Sequence, residues 1–164
     1  MLQVGDTAPD FELPGSDGVD IDRYSLDKVT DSGAVVLLFY PFDFSPVCTE
    51  ELCDFRDSEW LTMTDDLDVF GVSTDTAFAH KTLIQQNDLP FPLLSDNDGS
   101  VSEQYDVLYD ELVGHSRVSK RAVFLIDAKR TIRYSWVADE WIDDPNIGDV
   151  NEAAQQLDGI GLSR

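Results

Sequence analysis

The chain has 164 residues, of which 33 are acidic and 11 are Lys or Arg, so its formal net charge is −22. Hydrophobic residues make up 42% of the sequence, and this length and composition predict a single folded domain over residues 1–164. The acidic surface disfavours binding to nucleic acid or to anionic membranes, because both carry dense negative charge.

The N-terminal ten residues are polar and acidic, without the basic and apolar segments of a signal peptide. No apolar run reaches the roughly 18 residues that indicate a membrane span, so we expect a cytoplasmic protein. The acidic excess favours a halophilic protein from a salt-rich cytoplasm, because at about 1 M salt the Debye length falls to roughly 3 Å and repulsion is screened. The alternative is an ordinary acidic protein, whose thermal stability would not change between low and molar KCl.

The predicted elements begin with residues 4–32, which are rich in Asp, Gly and Pro and read as short strands and turns, with a hairpin turn at 15–18. Residues 34–40 (AVVLLFY) are a continuous apolar run, typical of a strand buried on both faces. From residue 48 to about 63, apolar side chains recur near helical spacing, so this segment is predicted to be the first long helix.

Strands and helices then alternate along the rest of the chain. The predicted strands are 68–73, 122–126 and 131–137, with a short strand and turn at 91–96, and the predicted helices are 76–87, 100–105 and 149–157. This order predicts an α/β thioredoxin-like fold, in which a central mixed β-sheet is flanked by helices and extended by an N-terminal β-hairpin.

Cys48 lies between the first buried strand and the first long helix, where open α/β sheets place their reaction sites. At the start of a helix, unpaired backbone N–H groups and the helix dipole favour a thiolate and predict a lowered pKa for its thiol. Ser45, three residues earlier, offers a hydroxyl that could hold a small polar substrate beside the sulfur. A metal site is not expected, because only two Cys and two His are present and no second Cys pair completes a tetrahedral set.

The pattern Pro41-x-x-x-Ser45-x-x-Cys48 resembles the P-x-x-x-T/S-x-x-C signature of the peroxiredoxins. Three further segments resemble other landmarks of that family and follow in the family's order: GDTAPDF at 5–11, FPLLSD at 91–96 and RAVFLID at 121–127. The resemblance therefore extends over most of the chain.

This resemblance implies an enzyme that reduces hydrogen peroxide and organic hydroperoxides with a thiol and without a metal, flavin or other cofactor. It assigns Cys48 as the peroxidatic cysteine, Ser45 as the active-site Thr/Ser and Pro41 as the shielding proline. Arg121 matches the activating arginine, and Glu51 matches the glutamate that orients it. The Cys48 thiolate would attack one peroxide oxygen, expel the other as hydroxide or alkoxide, and become a sulfenic acid.

Cys53 matches the resolving cysteine of the peroxiredoxin Q, or bacterioferritin-comigratory-protein, subgroup, whose pattern C-T-x-E-x-C fits CTEELC at 48–53. Five residues of intact helix give a rise of about 7.5 Å, more than the roughly 4.4–6.8 Å between disulfide-bonded Cα atoms. We therefore expect the first turn to unwind after oxidation. The alternative is a core cysteine. Val47 departs from the glycine common before the cysteine in the Q subgroup, and the FDFS segment at 42–45 also resembles the alkyl hydroperoxidase E type, which uses one cysteine and an external thiol.

The expected reductant is thioredoxin or a glutaredoxin-like protein, and the chain is either a monomer, as the Q-type resemblance implies, or a homodimer, as the E-type implies. Two other functions remain open: a thioredoxin-like disulfide oxidoreductase, which normally needs Cys-x-x-Cys, and a peroxide-sensing redox protein on the same fold. Arg117 is the nearest competitor for the activating arginine but lies outside the predicted strands. His115 is interpreted as a loop residue, and Phe55 and Trp60 as core residues.

Overall fold

The computed structural model describes residues 2–58 and 65–157. The strands in this part of the chain are β1 (Glu12–Ser16), β2 (Ile21–Ser25), β3 (Ala34–Phe39), β4 (Leu67–Ser73), β5 (Leu93–Ser95), β6 (Leu108–Leu112), β7 (His115–Ser119), β8 (Ala122–Ile126) and β9 (Ile132–Val137). The helices are α1 (Leu26–Ser32), α2 (Pro46–Arg56), α3 (Ala77–Asn87), α4 (Ser100–Gln104) and α5 (Ile147–Gln155).

Seven of these strands form one sheet in the order β2-β1-β5-β4-β3-β8-β9, and β6 pairs with β7 in a separate hairpin. The central strands β3, β4 and β5 are parallel, whereas β1, β8 and β9 run antiparallel to their neighbours. The N-terminal hairpin of β1 and β2 joins the sheet because β1 pairs with β5. The predicted thioredoxin-like fold, with a mixed sheet and an N-terminal hairpin, is confirmed.

Strand β3 is buried along its whole length, as its continuous apolar sequence predicts for a strand covered on both faces. Because successive side chains of a strand point to opposite faces, β3 contributes to two core clusters. Val36 and Leu38 belong to one, which also contains buried residues of α2, α3 and α5. Val35 and Leu37 belong to the other, which contains buried residues of α1 and α4. Helices therefore cover both faces of the sheet.

Two elements differ from the sequence-based prediction. Residues 26–32 form helix α1 rather than strands and turns: Ser25 caps its first turn, and Leu26 and Thr30, one turn apart, are both buried. Residues 108–119 form the β6–β7 hairpin, so the placement of Arg117 outside the strands was wrong. Both elements are short and mostly exposed, so neither has the apolar periodicity from which an element is predicted.

Helix α2 begins at Pro46, two residues before the predicted start. Ser45 is its N-cap and Pro46 occupies the first turn, where a missing backbone N–H costs nothing. The helix ends at Arg56, with Asp57 as its C-cap, so the prediction of one helix to about residue 63 was wrong. Trp60 lies outside the described residues. Within the described part of the chain, no helix is long and apolar enough to cross a membrane.

Candidate active site

The sheet topology gathers the predicted site residues at one edge. The parallel strands β3 and β4 both end there, and the segment 40–45 leaves β3 toward α2. Strand β8 is antiparallel to β3, with Phe39 opposite Ala122, so β8 begins where β3 ends. Arg121, which directly precedes β8, is thereby brought to the edge from which the chain continues to Cys48, the usual location of a reaction site in such sheets.

Cys48 lies in the first turn of α2, and its side chain is fully buried as a free thiol. The Cys48 backbone N–H points to the Ser45 hydroxyl oxygen at 3.5 Å, so Ser45 caps the helix. Phe44, just before the cap, has a left-handed φ of 65°, which turns the chain into the helix. Ser45 is therefore the helix cap, and its hydroxyl also hydrogen-bonds to the Cys48 thiol. Pro41, at the other end of this segment, is buried.

The electrostatics of Cys48 differ from the sequence-based expectation. Burial raises the pKa of its thiol above the ordinary value, because a thiolate is poorly solvated inside the protein. The Phe42 backbone, the Ser45 hydroxyl and the Arg121 charge act in the opposite direction and lower this pKa, whereas the Glu51 charge raises it. The predicted lowering of the thiol pKa is wrong, because desolvation is the largest effect on it.

Arg121 is fully buried and therefore does not form an exposed surface ion pair. Its Nε and Nη2 donate to Glu51 Oε1 at 3.3 and 3.2 Å, and Nη2 also donates to Asp144 Oδ1 at 2.9 Å. Its Nη1 donates to the Trp141 backbone carbonyl at 3.4 Å. Contacts with these three partners fix the guanidinium plane against α2, on which Glu51 lies one turn after Cys48.

The Glu51 carboxyl is almost completely buried, and its Oε2 has no hydrogen-bond partner among the described residues. Burial raises its pKa from 4.5 to about 7, although the Arg121 charge and hydrogen bonds act to lower it. Glu51 therefore titrates near neutrality beside Arg121, where its charge also acts on the Cys48 thiol.

Cys53 is half-buried on the same helix, and it is also a free thiol. Its Sγ contacts Asn87 Oδ1 at 3.7 Å, and Arg56 Nη1 donates to the Asn87 carbonyl at 2.8 Å, so this end of α2 is tied to α3. Helix α2 is continuous from Pro46 to Arg56 and contains both cysteines. A disulfide between Cys48 and Cys53 therefore requires local unwinding of the helix.

Sequence reasoning missed a buried polar cluster beneath the Cys48 segment, which we call the anchor cluster: Tyr40, Asp43 and His80. The Tyr40 hydroxyl donates to Asp43 Oδ1 at 2.6 Å, and His80 Nδ1 lies 2.6 Å from Asp43 Oδ2. His80 Nε2 donates to the Leu94 carbonyl at 2.9 Å. A sequence signal was present, because His80 shares the buried face of α3 with Leu83 and Ile84, where a polar side chain needs a partner.

Two other candidates lie elsewhere. Arg117 is half-exposed, donates to the Asp98 carbonyl at 2.9 Å and pairs with Glu103 at 3.7 Å. His115 is exposed at the start of β7 rather than in a loop, and its ring contacts that of Phe42. Phe55 is fully buried in the core, as predicted.

Comparisons with known proteins show the family to which the chain is similar. The sequence model described as the AhpC/TSA family matches residues 4–135. The chain is 39% identical over 141 residues to a putative peroxiredoxin bcp of Coxiella burnetii, covering 82% of this chain and 88% of that protein. It is 34% identical over 139 residues to peroxiredoxin Bcp of Bacillus subtilis, covering 82% and 85%. The fold is similar to the crystal structure of peroxidoxin BcpB from Mycobacterium tuberculosis, with a TM-score of 0.76, 31% identity and coverage of 93% and 94%.

Proposed function

The chain belongs to the AhpC/TSA family and is a thiol-dependent peroxidase, and we propose that Cys48 is the thiol that reduces the peroxide. The observation that carries this assignment is the position of Cys48 at the start of α2. Arg121, which is buried and paired with two carboxylates, acts to lower the pKa of the Cys48 thiol. The substrate is hydrogen peroxide or an organic hydroperoxide.

In the proposed reaction, the Cys48 thiolate attacks one peroxide oxygen, so an S–O bond forms while the O–O bond breaks. The leaving oxygen takes up a proton as water or an alcohol, and the cysteine is oxidised to a sulfenic acid. Arg121, the Ser45 hydroxyl and the backbone N–H groups of the first turn stabilise the charge that develops on the two oxygens. Glu51 holds the guanidinium in place, and Pro41 shields the thiol from water.

Arg121 has a further role before the attack. Burial holds the pKa of the Cys48 thiol above its ordinary value, so the reactive thiolate depends on the groups that oppose this effect. Arg121 carries the positive charge among them, and its contacts with Glu51 fix its position. Loss of Arg121 would therefore reduce both the thiolate fraction and the stabilisation of the transition state.

For the recycling step, we propose that Cys53 condenses with the sulfenic acid to give a disulfide and water, after the first turn of α2 unwinds. Thioredoxin or a glutaredoxin-like protein then reduces this disulfide. If Cys53 does not take part, an external thiol performs the same reaction on Cys48 directly. The active species is a monomer or a homodimer.

The test is peroxide turnover by Cys48→Ser and Cys53→Ser, with a thioredoxin system as the electron source. We expect Cys48→Ser to consume no peroxide. Cys53→Ser should react once, to a sulfenic acid detected by mass spectrometry, but should not turn over with thioredoxin. Peroxide reduction by Cys48→Ser would contradict the assignment of the nucleophile, and normal thioredoxin-dependent turnover by Cys53→Ser would show that an external thiol resolves Cys48.

A further inference from the structure

The anchor cluster of Tyr40, Asp43 and His80 lies beneath the segment that carries Ser45 and Cys48. We propose that His80 is a positioning residue: as an imidazolium that donates from both ring nitrogens, it holds Asp43, and with it the 41–45 segment, in the conformation that presents Cys48 to peroxide. This role deepens the proposed function, because it concerns the shape of the same site.

The protonation of the His80 ring follows from its partners. Nε2 faces a backbone carbonyl at 2.9 Å, which can only accept, so Nε2 carries a proton. Nδ1 lies 2.6 Å from Asp43 Oδ2, a distance typical of a charge-assisted hydrogen bond to a carboxylate. The other Asp43 oxygen already accepts from the Tyr40 hydroxyl. With Asp43 as a carboxylate, both of its oxygens only accept, so the ring donates from both nitrogens and is an imidazolium.

The charged groups around the ring support the imidazolium. From β3, Tyr40 approaches Nδ1 with its hydroxyl at 3.4 Å, and burial and the Asp43 charge keep the pKa of this hydroxyl well above its ordinary value, so Tyr40 remains neutral. From the loop after β4, Asp75 acts on the ring: burial raises the pKa of its carboxyl, and the His80 charge opposes this rise. From the segment before α2, Asp43 is the direct counter-ion. His80 and the Asp43 side chain are almost fully buried, so their attraction is weakly screened.

The cluster joins three parts of the protein to one residue of the Cys48 segment. Asp43 contacts Tyr40, which directly follows β3, and His80 on α3, and His80 in turn donates to the carbonyl of Leu94 in β5. The Asp43 backbone N–H also donates to Asp75 Oδ2 at 2.7 Å. Asp43 is thus fixed by both backbone and side chain, two residues before the Ser45 cap.

This fixation bears directly on Cys48. The left-handed Phe44 and the long Ser45 cap contact of 3.5 Å lie between Asp43 and the thiol, so local forces alone hold this turn weakly. Release of Asp43 would free the turn to open. Opening exposes the buried thiol to solvent but separates it from the groups that act on a bound peroxide.

The test compares two reactions of Cys48 in wild type and His80→Gln. A glutamine side chain has a length similar to histidine. Its single amide nitrogen cannot reach both Asp43 and the Leu94 carbonyl, so the link between them is lost. We expect alkylation of Cys48 by iodoacetamide, measured by mass spectrometry with Cys53→Ser as background, to rise about tenfold because the turn opens. The second-order rate constant with hydrogen peroxide should fall by about the same factor.

Leu83→Ala is the matched control, because Leu83 is a buried residue of the same helix whose apolar side chain cannot hydrogen-bond to the cluster. It should lower the melting temperature at least as much as His80→Gln, without moving the two rates in opposite directions. The proposal is overturned if His80→Gln leaves both rates unchanged, or if Leu83→Ala produces the same opposite changes. If His80→Gln does not fold, Asp43→Asn provides the same comparison.

A spectroscopic signature tests the protonation of the ring independently of any variant at this position. The sequence contains two histidines, so a His115→Gln variant leaves His80 as the single ring signal. Long-range ¹H–¹⁵N correlation near neutral pH should show protons on both ring nitrogens. An unprotonated Nδ1 would overturn the proposal. Alkylation and ring protonation involve no peroxide, so their results stand even if Cys48 proves not to be the peroxidatic residue.

Discussion

Two buried polar networks approach the Cys48 helix and its preceding segment, and they differ in how completely their groups are paired. In the anchor cluster, both ring nitrogens of His80 and both carboxylate oxygens of Asp43 have partners. In the arginine network of Arg121, Glu51 and Asp144, one oxygen of Glu51 has no partner among the described residues. That network also ends at Asp144, whose side chain is 58% exposed.

This difference in pairing indicates that the two networks have different roles. A buried network in which every group is paired is rigid and favours one arrangement. A network with an unpaired oxygen can change its protonation or its contacts with little rearrangement, and such groups are found at sites of chemistry. We therefore expect the arginine network to control charge near Cys48 and the anchor cluster to control the shape of the segment before it.

The largest expected effect comes from Arg121→Met, which leaves the buried Glu51 carboxyl without its counter-ion. We expect a loss of about 3–5 kcal/mol in the free energy of unfolding and a fall on the order of 100-fold in the peroxide rate constant. Urea unfolding and stopped-flow kinetics measure these. Arg117→Met is the control, since Arg117 is half-exposed, and it should change neither quantity appreciably. If Arg121→Met does not fold, Arg121→Lys retains the charge and should show a smaller loss of rate.

Glu51→Gln tests the role of titration in the arginine network. The folded-state pKa of Glu51 is about 7, above the ordinary 4.5, so the folded chain retains a proton that the unfolded chain releases between these pH values. The contribution of the protonated Glu51 carboxyl to the free energy of unfolding is complete below pH 4.5 and is lost as the pH rises to about 7. Relative to Glu51→Gln, the wild type should lose about 3 kcal/mol in its free energy of unfolding between pH 4.5 and 7. Parallel pH profiles of unfolding for the two proteins would contradict this titration.

Ser45→Ala tests the residue that caps the helix start between Asp43 and Cys48. Loss of the helix cap should cost about 1 kcal/mol of stability. The pKa of the Cys48 thiol should rise further, because the Ser45 hydroxyl acts to lower it. Thr76→Ala is a matched control, since Thr76 caps α3 by accepting from the Ala79 N–H at 3.3 Å. It should cost similar stability while leaving the thiol pKa, measured by absorbance of the thiolate, unchanged. Equal thiol pKa values in wild type and Ser45→Ala would show that the hydroxyl acts only as a cap.

The smallest effect is expected for Asp144→Asn. This partner of Arg121 is exposed to solvent, so its loss should change stability by less than about 1 kcal/mol. The peroxide rate should be close to that of the wild type, because Glu51 still holds the guanidinium. Urea unfolding and the same kinetic assay measure both. A loss as large as that of Arg121→Met would mean that Asp144, and not Glu51, fixes the arginine.

Much of the fold was predictable because its central elements carry strong local signals. Strand β3 with its apolar run, helix α3 and the β8–β9 hairpin were all located from the sequence to within a few residues. Helix α1 and the β6–β7 hairpin were missed, because their residues are mostly exposed and the local pattern does not distinguish them from turns.

The sequence by itself determined the sheet, the position of Cys48 at the start of a helix and the likeness to a peroxidase family, because these depend on local spacing and motif. The motif also implied that Glu51 orients Arg121, 70 residues away in sequence, but only the tertiary structure decided that this pair is fully buried and that burial raises the pKa of the thiol. It also decided that His80 meets Asp43, 37 residues away. Hydrogen bonds and desolvation depend on which distant groups the fold brings together, and no local pattern encodes that.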